Sequence, residues 1–267
     1  MTDPVGLPSS GPSFGTNPSF VDLLRREHPD SLARLTQPLS AEAAAQVPHG
    51  TTVLGLKYAD GIVMAGDRRA TAGYTIADDK MRKVFAADDY SAIAIAGAAG
   101  MAVDMVKLFQ LELEHYEKLT GDRLSLEGKA NRLAQMIRSN FPLAMQGLVV
   151  VPLFGGYDER RAEGRLFYYD ATGGRWEEDD YQSTGSGSQP AKNSLKKRWR
   201  PGLDRAAALR AAVEALLDAS EDDVATGGPN PVRHIYPIVL TVTASGADEM
   251  DESEVAAAVD LVLEERR

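Results

Sequence analysis

The sequence predicts an α+β fold, a four-layer αββα sandwich in which two antiparallel sheets lie between two helical layers. The first observation is the order of patterns along the chain: strands, two helices, strands, two helices, a strand and a helix. Such segregated runs are typical of layered α+β folds and not of an alternating parallel sheet. The second is composition, since 43% hydrophobic and 25% charged residues are ordinary for a globular protein. The third is length, because 267 residues suffice for a well-buried core.

Two hairpins are predicted first along the folded part of the chain. Apolar alternation over residues 51–65, broken by turn residues at 59–61, predicts the first hairpin. The second hairpin is predicted over residues 81–96, with its turn at 87–89 and Lys83 inside its first strand.

Apolar periodicity and capping residues predict the remaining elements. A long helix opens after the glycine pair 97 and 100 and ends at Gly121, with an apolar face predicted to contain Val103, Val106, Leu108, Leu111 and Leu113. A second helix begins at the N-cap Ser125 and is predicted to bury Ala130, Leu133, Ile137 and Phe141. The later elements are strands at 148–154, 165–169, 181–184 and 235–242, helices at 192–200 and 203–219, and a terminal helix from about Glu252.

Composition and motif content exclude several classes of function. The chain has no cysteine, which rules out disulfides, thiol catalysis and Cys-based metal sites. Its four histidines lack both a zinc-binding spacing and a Gly-x-Ser-x-Gly elbow, so we expect no metal, no organic cofactor and no Ser-His-Asp triad. A net charge of −10 disfavours binding to nucleic acid or to a membrane. No bilayer-spanning apolar stretch and no signal peptide are recognisable, so a cytoplasmic location is expected.

Residues 1–50 differ in character from the rest of the chain. They begin with a stretch rich in Pro, Gly and Ser, a composition that does not bury enough apolar surface to order itself. A short helical stretch over 20–35 and an Ala-rich stretch over 41–45 follow. We therefore predict a largely disordered leader over residues 1–50 and a folded domain over residues 51–267.

The tripeptide Gly50-Thr51-Thr52 lies at this boundary. A threonine hydroxyl is a weak nucleophile and needs a nearby base. An N-terminal threonine carries such a base, because an α-amine ordinarily has a pKa of about 7.7–8.0. Cleavage of the Gly50–Thr51 bond would therefore create the catalyst, and glycine can adopt the tight geometry that this requires. From the tripeptide alone, a Thr-rich start of an ordinary strand is the simpler interpretation.

Further residues change that balance. Asp67 ends the second predicted strand, Lys83 follows in the next hairpin, and Gly97 lies where a strand leads into a helix. Together with Thr51, these residues resemble in type, order and spacing the β-type subunits of proteasomes, threonine endopeptidases of the N-terminal nucleophile hydrolase superfamily. The resemblance runs from Thr51 to the C-terminal region. It implies the fold of that superfamily, a propeptide over residues 1–50 that is removed on maturation, and a catalytic domain over residues 51–267.

The resemblance also implies a role for each matching residue. Thr51 would supply both the attacking hydroxyl and the basic amine. Lys83 would lower the pKa of that amine by like-charge repulsion and assist proton transfer, while Asp67 would keep Lys83 charged and oriented. The backbone N–H of Gly97 would stabilise the oxyanion with help from a helix N-terminus.

Two later segments match the same family. Residues 184–188 resemble the loop whose serine hydrogen-bonds the threonine amine, which implicates Ser186. Residues 222–229 resemble the family's Asp-x-x-Ser-Gly element, with Asp223 as the acid and Thr226 as the hydroxyl. Here the sequence departs from the commonest pattern, since Thr226 replaces a serine.

The resemblance further implies how a peptide substrate binds. It would add as a strand beside Thr71 and Ala99 through main-chain hydrogen bonds. The pocket for the side chain before the cut would be lined by Ala70, Met81, Phe85, Ile95 and Ala99. These residues are all apolar, so a preference for apolar substrate side chains is expected.

Partners and alternatives also follow from the resemblance. Family members assemble with α-type subunits and other β copies into stacked seven-membered rings, and residues 115–118 and 225–229 look most like actinobacterial members. In that group an ATPase ring delivers tagged proteins. Three alternatives remain: the shorter bacterial two-component threonine peptidase, an amidase of the same superfamily, and a non-catalytic structural ring subunit.

Overall fold

The computed structural model describes residues 50–267, so the predicted propeptide, apart from Gly50, lies outside the described residues. These residues form two five-stranded antiparallel sheets and a separate two-stranded hairpin. In spatial order, the first sheet contains β10 (Tyr181–Gly185), β1 (Thr52–Tyr58), β2 (Gly61–Gly66), β11 (Ile238–Thr243) and β12 (Gly246–Glu249). The second contains β5 (Val84–Asp88), β6 (Ser91–Gly97), β7 (Val150–Asp158), β8 (Glu163–Tyr169) and β9 (Arg175–Glu178). The small hairpin pairs β3 (Ala70–Ala72) with β4 (Thr75–Asp78).

Six α-helices complete the described part of the chain. They are α1 (Ala99–Thr120), α2 (Leu126–Ser139), α3 (Phe141–Ala144), α4 (Ser188–Arg198), α5 (Arg205–Asp222) and α6 (Glu252–Glu265). The predicted caps are present at both ends of the first loop between helices. Gly121 ends α1 in the left-handed conformation, and the Ser125 hydroxyl accepts the N–H of Gly128 at the start of α2. No helix within residues 50–267 is long and apolar enough to cross a membrane.

Three apolar cores separate four layers. Successive side chains of a strand point to opposite faces, so each central strand contributes to two cores. In β1, Leu54 and Leu56 pack with α4, α5 and α6, whereas Val53 packs between the sheets. In β6, Ile93 packs with α1 and α2, whereas Ala94 packs between the sheets. The predicted order of helix, sheet, sheet and helix is confirmed.

The second hairpin differs in detail from its prediction. Its strands are β5 and β6, and the turn between them lies at residues 89–90. Lys83 was predicted inside the first strand but directly precedes it. The backbone of Lys83 still belongs to the sheet edge, because its carbonyl accepts the N–H of Ile95 at 2.9 Å. Because Lys83 lies outside the strand, its side chain does not follow the alternation of side chains between the two faces of β5, and it bonds Asp67.

The buried face of α1 is rotated from the predicted one. Leu108 and Leu111 are 38% and 61% exposed, and Val103 is half-buried. The buried residues of this helix are Ala102, Met105, Val106, Phe109 and Leu113. Apolar residues surround much of this helix, so periodicity alone did not indicate which side meets the sheet. Phe109 decides the orientation, since its ring meets that of Phe154 edge-on at 5.7 Å between centroids.

Other predicted elements need smaller corrections. Phe141 was predicted on the buried side of α2, but α2 ends at Ser139, and Phe141 starts α3 with 37% of its surface exposed. Pro142 follows at the start of α3, where its missing N–H is tolerated. Four strands were not predicted from the sequence, namely β3, β4, β9 and β12. Each has only three or four residues, too few to display a period of two.

Candidate active site

Thr51 lies directly before a strand that is paired on both sides. Its successor Thr52 begins β1, which pairs with β10 and β2. The carbonyl of Thr51 accepts the backbone N–H of Ser186 at 2.9 Å, and Thr51 is 4% exposed. The sequence boundary at residue 51 therefore coincides with the entry of the chain into a central part of the first sheet.

Gly50 has a conformation and surroundings that require glycine. Its φ of +99° lies in a region that side chains disfavour. A Cβ at this position would lie 2.5 Å from Thr71 Oγ1 and 2.8 Å from the Cβ of Ala225. The Gly50 carbonyl oxygen accepts hydrogen bonds from the Thr51 hydroxyl at 2.5 Å and from Lys83 Nζ at 3.2 Å. The nucleophile predicted from sequence is thus adjacent to the carbonyl that it would attack.

Asp67 and Lys83 form a fully buried ion pair, with 2.7 Å between Asp67 Oδ1 and Lys83 Nζ. Asp67 also accepts the backbone N–H groups of Thr52 at 2.7 Å, Arg69 at 2.9 Å and Gly227 at 2.8 Å. Lys83 Nζ donates in addition to the carbonyl of Arg69. These bonds compensate the burial of both charges and fix the ammonium next to the Gly50 carbonyl.

Burial lowers the pKa of Lys83 below its usual value, because the charged form loses hydration. The negative charge of Asp67 and its hydrogen bond oppose this shift, and the positive charge of Arg69 adds to it. Lys83 therefore releases its proton more readily than an exposed lysine. Such a perturbed lysine beside a hydroxyl is typical of sites that transfer protons.

A second group of side chains lies next to the backbone nitrogen of Thr51. The Thr51 N–H donates to Ser186 Oγ at 3.4 Å, and Ser186 Oγ donates to Asp223 Oδ2 at 2.6 Å. The Thr226 hydroxyl donates to the same carboxylate oxygen, also at 2.6 Å. Asp223 directly follows α5, whose last residue is Asp222. Of the two adjacent acids, Asp223 is therefore the one in contact with Ser186 and Thr226.

Gly97 occupies the predicted corner between strand and helix, where β6 ends and α1 begins two residues later. Its φ is +116°, and a Cβ there would lie 2.0 Å from the Val149 carbonyl oxygen. The contacts that unite Thr51, Asp67, Lys83, Ser186, Asp223 and Thr226 do not include Gly97. Its role in stabilising an oxyanion stays a prediction.

The predicted substrate-binding residues differ in accessibility. Ala70 and Ile95 are 3% and 1% exposed, and Ile95 packs in the core under α1 and α2. The half-buried members of the set are Thr71, Met81, Phe85 and Ala99. Thr71 lies in β3 beside Gly50, as the short contact above indicates. The pocket itself stays a prediction.

Two residues of this site, Thr52 and Arg69, were not predicted from the sequence. The Thr52 hydroxyl is fully buried and lies 2.6 Å from Thr226 Oγ1. Arg69 donates from its guanidinium to the carbonyls of Val224 at 3.0 Å and Thr226 at 3.2 Å. It thereby ties the loop after α5 to the segment carrying Asp67. The only feature of the sequence that pointed to these two residues was their position next to predicted site residues. Thr52 follows the predicted nucleophile, and Arg69 lies two positions after Asp67.

Comparison with known proteins identifies the family of this chain. Residues 47–235 match the family model described as Proteasome subunit. A protein named Proteasome subunit beta from Acidimicrobium ferrooxidans is 51% identical over 267 residues, covering 98% of this chain and 96% of that protein. Another protein of the same name from Streptomyces griseus is 54% identical over 250 residues, which cover 93% of this chain and 88% of that protein. The chain therefore belongs to the proteasome subunit family and is of its β type.

Proposed function

We propose that the chain is a threonine endopeptidase of a proteasome core, with Thr51 as its nucleophile after removal of residues 1–50. One observation carries the proposal. The Thr51 hydroxyl and Lys83 Nζ both contact the carbonyl oxygen of Gly50, at 2.5 Å and 3.2 Å, while Asp67 holds the lysine. A nucleophile and a cation thus meet at the bond whose cleavage would free the amine.

Maturation in this proposal begins with the Thr51 hydroxyl attacking the Gly50 carbonyl carbon. The new C–O bond replaces the C–N bond, and the hydroxyl proton passes to the nitrogen. Lys83 stabilises the negative charge that develops on the carbonyl oxygen. Water then hydrolyses the ester, leaving a carboxylate on Gly50 and a free amine on Thr51. No other reactant is required.

Peptide cleavage reuses the same atoms. The freed Thr51 amine accepts the hydroxyl proton as the oxygen attacks a substrate carbonyl, and it returns that proton to the leaving amine, which leaves an ester on Thr51. Water then hydrolyses this ester with the same amine as the base, which releases the acid product and restores the Thr51 hydroxyl. The positive charge of Lys83 lowers the pKa of the Thr51 amine and so keeps it unprotonated near neutral pH. Ser186, with Asp223 and Thr226 behind it, holds the nitrogen in place. The N–H of Gly97 is proposed to stabilise the oxyanion.

Substrate binding is proposed to occur along β3. A peptide strand would pair with the backbone at Thr71 and Ala99, which places its carbonyl before Thr51. Met81 and Phe85 are half-buried and apolar, which suits a pocket wall that excludes water from an apolar side chain.

Assembly is part of the proposal, because both relatives are named as subunits of a proteasome. We propose association with α-type subunits and further copies of this chain in stacked seven-membered rings in the cytoplasm, supplied by an ATPase ring. Enclosure in such a particle would keep an unselective peptidase from folded proteins.

Intact-mass measurement of the full chain co-expressed with its α-type partner tests the proposal. The wild-type chain is expected to lose residues 1–50, whereas Thr51→Ala keeps them and cleaves no peptide. Thr75→Ala changes an exposed threonine of β4 and is the matched control, which should mature normally. A wild-type chain that keeps its leader in the assembled particle would contradict the proposal and favour a structural subunit. Cleavage of small amides without cleavage of peptides would favour an amidase.

A further inference from the structure

A pair of buried hydroxyl groups lies behind the residues discussed above. Thr52 Oγ1 and Thr226 Oγ1 are 2.6 Å apart, and both residues are 0% exposed. The backbone N–H of Gly187 donates to Thr52 Oγ1 at 3.0 Å. Buried hydroxyl groups need partners, and here they find them in each other and in the site.

The direction of each hydrogen bond in this group is fixed by chemistry. A carboxylate only accepts, so the single hydroxyl hydrogen of Thr226 is used on Asp223. Gly187 N–H only donates, so Thr52 Oγ1 is its acceptor. The Thr52 hydrogen is then the one shared with Thr226. The bonds therefore run in one direction, from Gly187 through Thr52 and Thr226 to Asp223.

The same carboxylate oxygen connects this chain of bonds to the nucleophile. Asp223 Oδ2 also accepts from Ser186, whose oxygen accepts the Thr51 N–H at 3.4 Å. Ser186 Oγ lies farther from the Thr51 carbonyl, at 3.3 Å, than from Asp223 at 2.6 Å, so its hydrogen belongs to Asp223. The orientation of Asp223 thus depends on Thr226 on one side and sets Ser186 on the other.

Gly187 makes room for the hydroxyl pair. A Cβ at position 187 would lie 2.4 Å from Thr52 Oγ1 and 2.6 Å from Thr226 Oγ1. Any side chain there would push the two hydroxyl groups apart. The backbone at Gly187 is therefore both the donor that starts the chain of bonds and the surface against which the pair rests.

We propose that Thr52 is a positioning residue for catalysis, acting through Thr226 and Asp223 on the nitrogen of Thr51. Its backbone N–H independently bonds Asp67 at 2.7 Å, so one residue contacts both halves of the site. The role rests on the proposed peptidase function.

The test compares Thr52→Val with Thr52→Ser in the assembled particle. Valine keeps the shape of threonine and removes the hydroxyl, whereas serine keeps the hydroxyl. We expect Thr52→Val to lower kcat for a fluorogenic peptide about tenfold, the equivalent of one lost buried hydrogen bond, with KM changed less than about twofold. Thr52→Ser should keep kcat within about twofold of the wild type. A Thr52→Val particle with wild-type kcat, or a serine variant as impaired as the valine variant, overturns the proposal.

A double variant adds a readout that general destabilisation does not reproduce. If Thr52 acts through Thr226, then Thr226→Val combined with Thr52→Val should have nearly the kcat of Thr226→Val alone. Independent, multiplying losses overturn the proposal. Should Thr52→Val fail to assemble, Thr52→Cys replaces it, because a thiol is a weaker donor and acceptor. Its kcat should then fall below that of the serine variant, and equal values overturn the proposal. A wild-type particle that cleaves no peptide would instead overturn the peptidase function itself.

Discussion

Lys83 Nζ lies 2.7 Å from Asp67 Oδ1 with both side chains fully buried, and the same ammonium reaches the carbonyl of Gly50. Burial lowers the pKa of this lysine, and the carboxylate of Asp67 opposes the shift. The protonation state of the site therefore depends on a balance between lost hydration and one buried negative charge.

Replacing Asp67 by asparagine should shift that balance. Asparagine keeps one oxygen acceptor for Lys83 and Thr52, carries no charge, and loses the second acceptor that now binds the N–H groups of Arg69 and Gly227. Without the negative charge, the pKa of Lys83 falls further below its usual value. Steps that need the protonated lysine are then lost at lower pH. We expect the alkaline limb of the kcat/KM profile of matured Asp67→Asn to move to lower pH.

A second ion pair with a buried lysine provides the control. Lys129 Nζ of α2 lies 2.5 Å from Asp88 Oδ2 of β5. This ion pair does not include any residue of the candidate site. Asp88→Asn should therefore leave the pH profile of peptide cleavage unchanged. If Asp67→Asn also leaves the alkaline limb where it is in the wild type, Lys83 does not titrate in catalysis.

Alanine at position 50 should block maturation. The left-handed φ costs an L-residue about 1–2 kcal/mol, and the added Cβ would collide with Thr71 Oγ1 and Ala225. Since the Gly50 carbonyl must stay next to the Thr51 hydroxyl, we expect leader removal in Gly50→Ala to slow at least about tenfold, followed by intact mass over time.

Gly121→Ala is the control that separates the effect of backbone strain from the effect of moving the Gly50 carbonyl. Gly121 also has a positive φ, +77°, but a Cβ there meets nothing within 4 Å. This variant should lose stability and still mature at the wild-type rate. Equal slowing in both variants would mean that backbone strain in general, and not the position of the Gly50 carbonyl, controls cleavage.

The proposed substrate pocket predicts a change of specificity. Met81 is half-buried and would face the side chain before the cut. A carboxylate placed there by Met81→Glu should disfavour apolar side chains and favour basic ones. We expect the ratio of kcat/KM for an arginine peptide over a leucine peptide to rise about tenfold or more. Leu111→Glu, on the exposed side of α1, should leave the ratio unchanged.

We expect Arg165 to contribute to the free energy of unfolding by an amount that depends on pH. Its side chain is 3% exposed and pairs with Glu127, Asp158 and Glu177. Arg165→Leu leaves three carboxylates without this cation. Because two of them are more than one-third exposed and solvent screens them, we expect a loss near the lower end for buried pairs, about 3 kcal/mol in the free energy of unfolding at neutral pH.

The sign of the pH effect follows from the partner groups. Hydrogen bonds from Arg175 and Arg165 lower the pKa values of Glu127 and Glu177. Their contribution is present above the ordinary glutamate pKa of about 4.3 and is lost as pH falls through the lowered values. Urea unfolding should show the gap between wild type and Arg165→Leu narrowing with acidification. The exposed Arg161→Leu should show a small effect throughout, and a gap independent of pH would contradict the assignment.

Much of the fold followed from the sequence because strand and helix patterns were long and separated. The hairpin at residues 51–65, the caps Gly121 and Ser125 and the order of layers were all predicted and are present. The predictions that were wrong or missing concern features that local sequence patterns do not determine. The orientation of α1 depends on contact with Phe154 in a distant strand, and β3 and β4 are too short to show alternation.

The candidate site was predicted by resemblance more than by local chemistry. Thr51, Asp67 and Lys83 lie together as that resemblance implied, although their catalytic roles stay predictions. Thr52 was missed because its hydroxyl meets Thr226 across 174 positions in the sequence. No spacing rule links residues so far apart, and only folding brings their hydroxyl groups into contact.

The two-sided pairing of β1 has a consequence for the terminus that cleavage would create. Newly cut chain ends ordinarily fray and retreat from their former neighbours. Here Thr52 is already paired with Gly185, Val53 with both Thr184 and Gly66, and the Thr51 carbonyl with Ser186. A freed amine at residue 51 would therefore emerge already immobilised, so that severing one bond activates the site without any need to rebuild it.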